Sequence, residues 1–288
     1  MKAGLKAATS RTPGDAYRRG VWLFGLFLAV LMVVLPLYIL FKYSISDAAS
    51  INTGGEPIPL WPYAPTFRNY LYLFSDRRFF GVVANSLLIA LCTVALSMIL
   101  GVPASYVLGR YRVPWKRPLL VALISVRLFP DIVSVVPVTE LFIRLEGHNT
   151  YWGVVLAHTL LALPYVIFIG TSAFEPIPAD LEEQARVLGA GRGTVFFGIL
   201  LPLATPGLAA GAIYTFLLSW DEFIFAYFLL GLGNISTLTL YLKQKLAFAP
   251  PHSVLAAVSV CLSLPVIIFS MVFQRYMTAG ITSGAVKQ

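Results

Sequence analysis

Two acidic residues, Asp221 and Glu222, stand side by side in an otherwise apolar run, directly after Trp220 and close behind Tyr214 and Ser219. Carboxylates and hydroxyls in such a setting bind ions, solute hydroxyls or one another, because a charge taken out of water persists only with a partner. Trp220 adds a flat apolar face of the kind that stacks on a sugar ring. A second pair, Arg127 and Asp131, has the four-residue spacing of a helical ion pair, which reads as a packing contact. Other reactive types are sparse. Cys92 and Cys261 lie in apolar runs and read as buried small hydrophobes. His148, His158 and His252 are isolated, and no Cys/His group has metal-ligand spacing, so no metal is expected. No Gly-x-x-x-x-Gly-Lys-Ser/Thr occurs. Gly189-Ala-Gly191-Arg-Gly193 is glycine-rich but lacks the Lys-Ser/Thr that would hold ATP phosphates.

The setting of these residues follows from composition. Of 288 residues, 58% are hydrophobic and 12% charged, with a net charge of +8 and a mean hydropathy of +0.80. Soluble domains carry about 25% charged residues. A soluble fold this apolar would expose large greasy patches, so the bilayer is the natural solvent. The positive charge does not indicate nucleic acid, because the Lys and Arg residues sit between long apolar runs.

A spanning helix needs about 20 apolar residues. Six stretches qualify: Val21 to Lys42, Phe80 to Leu108, Leu119 to Phe142, Gly153 to Phe174, Pro206 to Leu230, and Val254 to Tyr276. The fold class is therefore all-α and polytopic. The first stretch is long for a signal-peptide core and no small-residue cleavage site follows it, so it reads as a retained helix. Lys2, Lys6, Arg11, Arg18, Arg19, Arg110, Arg112, Lys116, Arg117, Arg186, Arg192, Arg275 and Lys287 fall on one side of this plan and fewer basic residues on the other. Both termini are expected in the cytoplasm. The plan comprises a cytoplasmic segment 1–20, a membrane domain 21–277 and a cytoplasmic tail 278–288. Segment 44–79 is an external loop with a short helix around Phe67 to Phe74. Arg275 is expected to close the sixth helix, leaving a flexible tail.

Segment 175–202 is the longest cytoplasmic loop that carries helical signals. Pro178 suits a first helical turn, and Asp180, Glu182 and Glu183 favour its positive end. Asp180 and Glu183 have capping spacing. A short helix is expected to reach about Leu188 and stop at Gly189 in a left-handed conformation. Leu181, Ala185 and Leu188 fall on one face of it.

This loop resembles the signature of permeases of binding-protein-dependent ABC importers. The matching residues are Glu183, Gln184, Ala185 and, after three more, Gly189, followed by Ile199, Leu201 and Pro202. Gln184 replaces a usual small residue, and Leu188 stands where Asp is frequent. Phe216-Leu-Leu-Ser219-Trp220-Asp221-Glu222-Phe223 and the ending Gly280-Ile-Thr-Ser-Gly284-Ala-Val-Lys287-Gln288 are similar to the maltose-type carbohydrate branch, with Asp221 where Asn is common. The resemblance implies a type I importer permease in a bacterial inner membrane. Its short loop helix, with Glu183, Gln184, Ala185, Leu188, Gly189, Ile199 and Pro202, docks on ATPase subunits. A second, non-identical permease and an external solute-binding protein complete the assembly. It implies no cofactor on this chain, with ATP and Mg on the ATPase dimer, and a carbohydrate or related polyol as cargo. Tyr214, Ser219, Trp220, Asp221 and Glu222 become pathway residues, and Gly284 and Lys287 become tail contacts with the ATPases. An ion-coupled secondary transporter is the other class to weigh, but internal repeats are not visible and the loop signature goes unexplained. A channel needs a filter-like loop, and none is found.

Overall fold

The computed structural model describes residues 13–47, 60–62, 64–231, 233–248 and 251–285. Among them the only sheet-like pairing is an isolated bridge between Ser46 and Pro65. The rest is helix and connecting turn. The chain divides into two compact units, Met1–Tyr70 with Pro251–Val260, and Leu71–Pro250 with Cys261–Gln288.

In the first unit α1 (Pro13–Ser44) is a single helix around Pro36. Its apolar side chains are almost all exposed on the subunit, as suits a helix whose solvent is lipid or another chain. Its end is tied down locally. The Asn69 side-chain amide donates to the Ser44 and Ser46 carbonyls, each at 2.9 Å, and the Tyr70 hydroxyl to the Ser44 hydroxyl at 2.7 Å.

The second unit begins within α2 (Arg68–Ser75), the short helix expected before the second span. Then come α3 (Arg77–Arg110), α4 (Lys116–Ser125), a 3₁₀ turn Val126–Leu128, α5 (Asp131–Arg144) and α6 (Tyr151–Phe174). The loop helix α7 (Asp180–Val187) follows. After it a short helix α8 (Arg192–Val195), a π turn Phe196–Leu200 and α9 (Leu201–Asp221) run on as one long rod. The chain closes with α10 (Ile224–Leu230), α11 (Leu238–Ala247) and α12 (His252–Ala285). Among the described residues five helices are long and apolar enough to cross a membrane, and a bent pair makes up to six.

Two spans differ from their expected form. Instead of one rod from Leu119 to Phe142, the third turns by 93° between Leu128 and Asp131. Pro130 forces this, because the residue before a proline is driven out of the helical region, and Phe129 is extended at φ −70°, ψ 133°. The fifth starts near Arg192 rather than Pro206 and stops at Asp221 rather than Leu230. At the other end of the chain α12 continues past Arg275 to Ala285, where a flexible tail was expected. Lys287 lies outside the described residues.

Helices α3, α6 and α9 pack closely because small residues face the contacts. A Cβ on Gly101 would lie 2.5 Å from a Val166 methyl, and one on Gly170 2.4 Å from the Ser105 hydroxyl. Without a hydrophobic drive inside lipid, this closeness supplies the van der Waals contact that holds membrane helices together. One apolar cluster, including Ile89, Val154, Leu161, Phe225 and Leu240, fills the unit near the fifth-span break, and a second, including Val102, Phe174, Val195 and Leu200, lies beneath α7.

Candidate functional site

The two interrupted spans line one cavity. It encloses about 510 Å³, and its wall includes Arg127 and Asp131 from the third-span bend, Tyr214 from α9, and Asp221, Glu222 and Phe223 from the fifth-span break. Irregular backbone at membrane depth is tolerated only where it is buried in protein or lines such a space. Glu222 explains why the fifth helix breaks there. Its carboxylate accepts from the backbone N–H of Phe225 (2.7 Å) and Ala226 (2.9 Å), satisfying donors that α10 would otherwise leave bare. One carboxylate oxygen also shares a hydrogen bond with His158 at 3.1 Å, and the other ring nitrogen of His158 shares one with Ser219 at 2.8 Å.

The expected pathway residues therefore separate. Tyr214, Asp221 and Glu222 reach the cavity wall. Ser219 is turned inward to His158. Trp220, read as a sugar-stacking face, is only 2% exposed. Its indole donates to the Leu262 carbonyl at 2.9 Å and its ring stacks on Phe216. At this break the helix presents Asp221 to the cavity and Trp220 to α12, so Trp220 is a core residue of the unit. His158, read as an isolated side chain, is fully buried and partnered on both nitrogens. Its signal was its place in an apolar span, where an unpartnered imidazole would be costly. Arg127 and Asp131 do pair, at 2.9 Å, but across the bend and on the cavity wall rather than as packing within one helix. The guanidinium also lies 6.0 Å from the Tyr165 ring, and that ring lies 4.7 Å from Tyr214. Cys92 is exposed on the subunit rather than buried, since the outer face of a span meets lipid or a neighbour.

The second site is the loop after α6. Gly189 stops α7 at φ +87°, with the Ala190 N–H reaching back to the Ala185 carbonyl at 2.9 Å. This is the left-handed helix stop expected of a glycine. The expected capping by Asp180 is absent: the N-cap is Ala179 and no side chain caps it. The helix rests on Ala185 and Ala190, which pack on the apolar cluster below. Of the expected Leu181–Ala185–Leu188 face, Leu181 and Leu188 are exposed and Ala185 is half-buried, and Val187 and Leu188, both 87% exposed, are the barest apolar residues here. Glu183 and Gln184 are exposed, Ile199 is half-buried in the π turn, and Pro202 is exposed at the start of α9. The acidic residue that binds inward is Glu182, whose carboxylate meets the Arg110 guanidinium at 2.5 Å. Arg110 was legible only as an inside-positive charge.

Multiple apolar helices, a cavity walled by broken spans and a fastened surface helix define a polytopic transport permease. The chain belongs to the family described as "Binding-protein-dependent transport system inner membrane component", which it matches over residues 101–283. It is 32% identical over 263 residues to the trehalose transport system permease protein SugB of Mycobacterium tuberculosis, covering 90% of this chain and 94% of that one. It is 33% identical over 243 residues to the sulfoquinovosyl glycerol transport system permease protein SmoH of Agrobacterium fabrum, covering 83% and 85%. Among solved structures it superposes on a chain of a bacterial ABC transporter involved in the import of the acidic polysaccharide alginate. The TM-score is 0.78 at 25% identity, over 92% of this chain and 98% of that one. The chain is thus an ABC importer permease of the inner membrane and carries the type I importer fold.

Proposed function

We propose that this subunit passes a carbohydrate or related polyol across the membrane, driven by ATP bound with Mg on separate ATPase subunits. The observation that carries the coupling half is the loop 175–202, where the Glu183–Gln184–Ala185 start of the signature is folded into a surface helix stopped at Gly189, with Val187 and Leu188 bare. Two apolar side chains left in water at a helix end are what a cleft on a partner covers. The cargo half is supported by the names of the relatives, which are trehalose and sulfoquinovosyl glycerol permeases, and by a cavity that mixes carboxylates with tyrosine.

In this reading both termini and α7 face the cytoplasm, a second, non-identical permease completes the pathway, and an external binding protein delivers the solute. The permease itself couples two states that different ligands favour. Gly284 and Lys287 contact the ATPases from the tail. The experiment is reconstitution of this chain with its ATPase, second permease and binding protein in liposomes. Expected outcomes are ATP-dependent uptake of an uncharged or acidic oligosaccharide, no ATPase activity from the isolated subunit, and an altered ATPase rate when residues 281–288 are deleted. Sodium- or proton-driven uptake without ATP would overturn the reading in favour of secondary transport.

A further inference from the structure

Arg110 is the last residue of α3, a helix packed along α6 and α9. Its side chain is 9% exposed, and all three guanidinium nitrogens bond the loop that carries α7. The Nε–H donates to Glu182 at 2.5 Å, one terminal nitrogen donates to the Ile177 carbonyl, and the other reaches the Pro178 carbonyl at 3.4 Å. Glu182 is itself 12% exposed, and its second oxygen lies 3.6 Å from Arg186. One planar cation thus holds both the run-in to α7 and the helix itself, which a lysine, as a single point charge, would not do.

The surroundings leave no slack at this joint. Gly109 lies so close to α6 that a Cβ there would sit 2.7 Å from the Phe174 Cβ and 3.1 Å from the Thr171 carbonyl. Tyr106, one turn back on α3, lies 4.9 Å from Phe196 in the π turn and 5.7 Å from Phe174. A second ion pair, Lys116 to Glu175 at 2.6 Å, lies on the more exposed side and adds little. By contrast α7 has neither a side-chain cap nor a buried residue of its own. An eight-residue helix without these is not stable alone.

We propose that Arg110 is the positioning residue that makes α7 one rigid body with α3, so that a push on α7 displaces the packed α3–α6–α9 core instead of flexing the loop. The proposal rests on reading α7 as the element that meets the ATPases, and it names what carries the push inward. Arg110 touches neither cargo nor nucleotide; it acts through Glu182 and the two carbonyls. A buried ion pair of this kind adds little net stability compared with apolar packing, but removing one partner strands the other. Its use here is to fix geometry.

The test uses the complete reconstituted importer and reads solute moved per ATP hydrolysed. In R110Q the ATPase subunits still co-purify, since Val187, Leu188 and the signature residues are untouched. Hydrolysis continues, while solute moved per ATP falls roughly tenfold, in the range found for mutations that act on coupling alone. R110K recovers part of the ratio through Glu182, and E182Q, which keeps an acceptor for the Nε–H, falls less than R110Q. A merely structural arginine would lower the yield of complex and leave the ratio unchanged. An unchanged ratio in assembled R110Q overturns the proposal. If R110Q does not assemble, an unchanged ratio in E182Q overturns it. If the wild-type chain binds no ATPase, the reading of α7 fails first, so the two failures are distinguishable.

Discussion

The cavity and the coupling loop use polar residues in opposite ways. Around α7 the buried polar groups are spent on the protein: Arg110 holds Glu182 and two carbonyls. At the cavity a charge is left over. Glu222 is engaged by two backbone donors and His158, and Arg127 by Asp131, yet among the described residues no donor reaches the Asp221 carboxylate. A segment that must transmit displacement gains from having no free bonds. A segment that must exchange one ligand for water gains from keeping some.

Breaking the loop should have the larger effect. Gly189 sits at φ +87° with open space around the position of a Cβ, so only the backbone conformation opposes a side chain there. A β-branched residue meets that penalty in full, at about 1–2 kcal/mol or more. Gly189→Val should unwind the end of α7, displace Val187 and Leu188, and lower uptake by about tenfold or more with reduced ATPase co-purification. Gly189→Asn, which tolerates left-handed backbone, should retain most uptake. Equal loss in both variants, scored by uptake and pull-down, would point to side-chain size rather than φ.

The cavity can be dissected by a pair of neighbours. Trp220→Ala removes a buried ring and its bond to Leu262, a class of change that costs about 3–5 kcal/mol. It should lower the melting temperature and the yield of the complex. Asp221→Asn removes charge from a group without a protein partner. It should leave melting unchanged and alter the solute dependence of uptake by several-fold, about the size of one net hydrogen bond. The reverse pattern, a stable Trp220→Ala with impaired uptake, would restore Trp220 to the pathway.

How much was legible in the sequence divides along the same line. Span number, the stop at Gly189 and the family signature all rest on local chemistry: apolar length, glycine at positive φ, and spacing within one loop. The misread features depend on which partner a side chain finds, whether a few residues away or far along the chain. Hydropathy runs the fifth span through Glu222 because it counts a carboxylate as one unfavourable residue, whereas this carboxylate takes the N–H groups of the next helix. Adjacency groups Trp220 with Asp221, although consecutive helical residues point about 100° apart. Arg110 and Glu182 are 72 residues apart, and nothing local links them. Helical spacing pairs Arg127 with Asp131, and the pair forms although the helix does not continue between them.

The smallest expected effect lies at the far end of α3 from Arg110, and it tests whether a fastened polar cluster matters away from the coupling loop. Asp76 caps α3 by accepting from the Arg78 N–H at 3.0 Å, and it also binds the Tyr241 hydroxyl (2.8 Å) and the Lys245 ammonium (3.0 Å). Burial opposes its ionisation, but the Arg78, Lys245 and Tyr241 hydrogen bonds outweigh it and hold the carboxyl below its ordinary value of 3.8. Burial and then the bond to Asp76 push Tyr241 up to about 12. For Lys245, burial is outweighed by the same two partners, and its value rises. A depressed carboxyl stabilises the fold above its unfolded value, and that contribution is lost as pH falls through the depressed one. A raised lysine contributes below its unfolded value and loses the contribution as pH rises through the raised one, so both are in force at neutral pH. Asp76→Asn keeps a cap acceptor but ends the ion pair, at a cost of about 1 kcal/mol or less for so partly exposed a pair. Melting of the detergent-solubilised subunit should then drop by about 2 °C at pH 7. The gap between wild type and variant should close as pH falls through the depressed carboxyl value. A gap of the same size below that value would mean that the cap geometry, and not the charge, holds this end of α3.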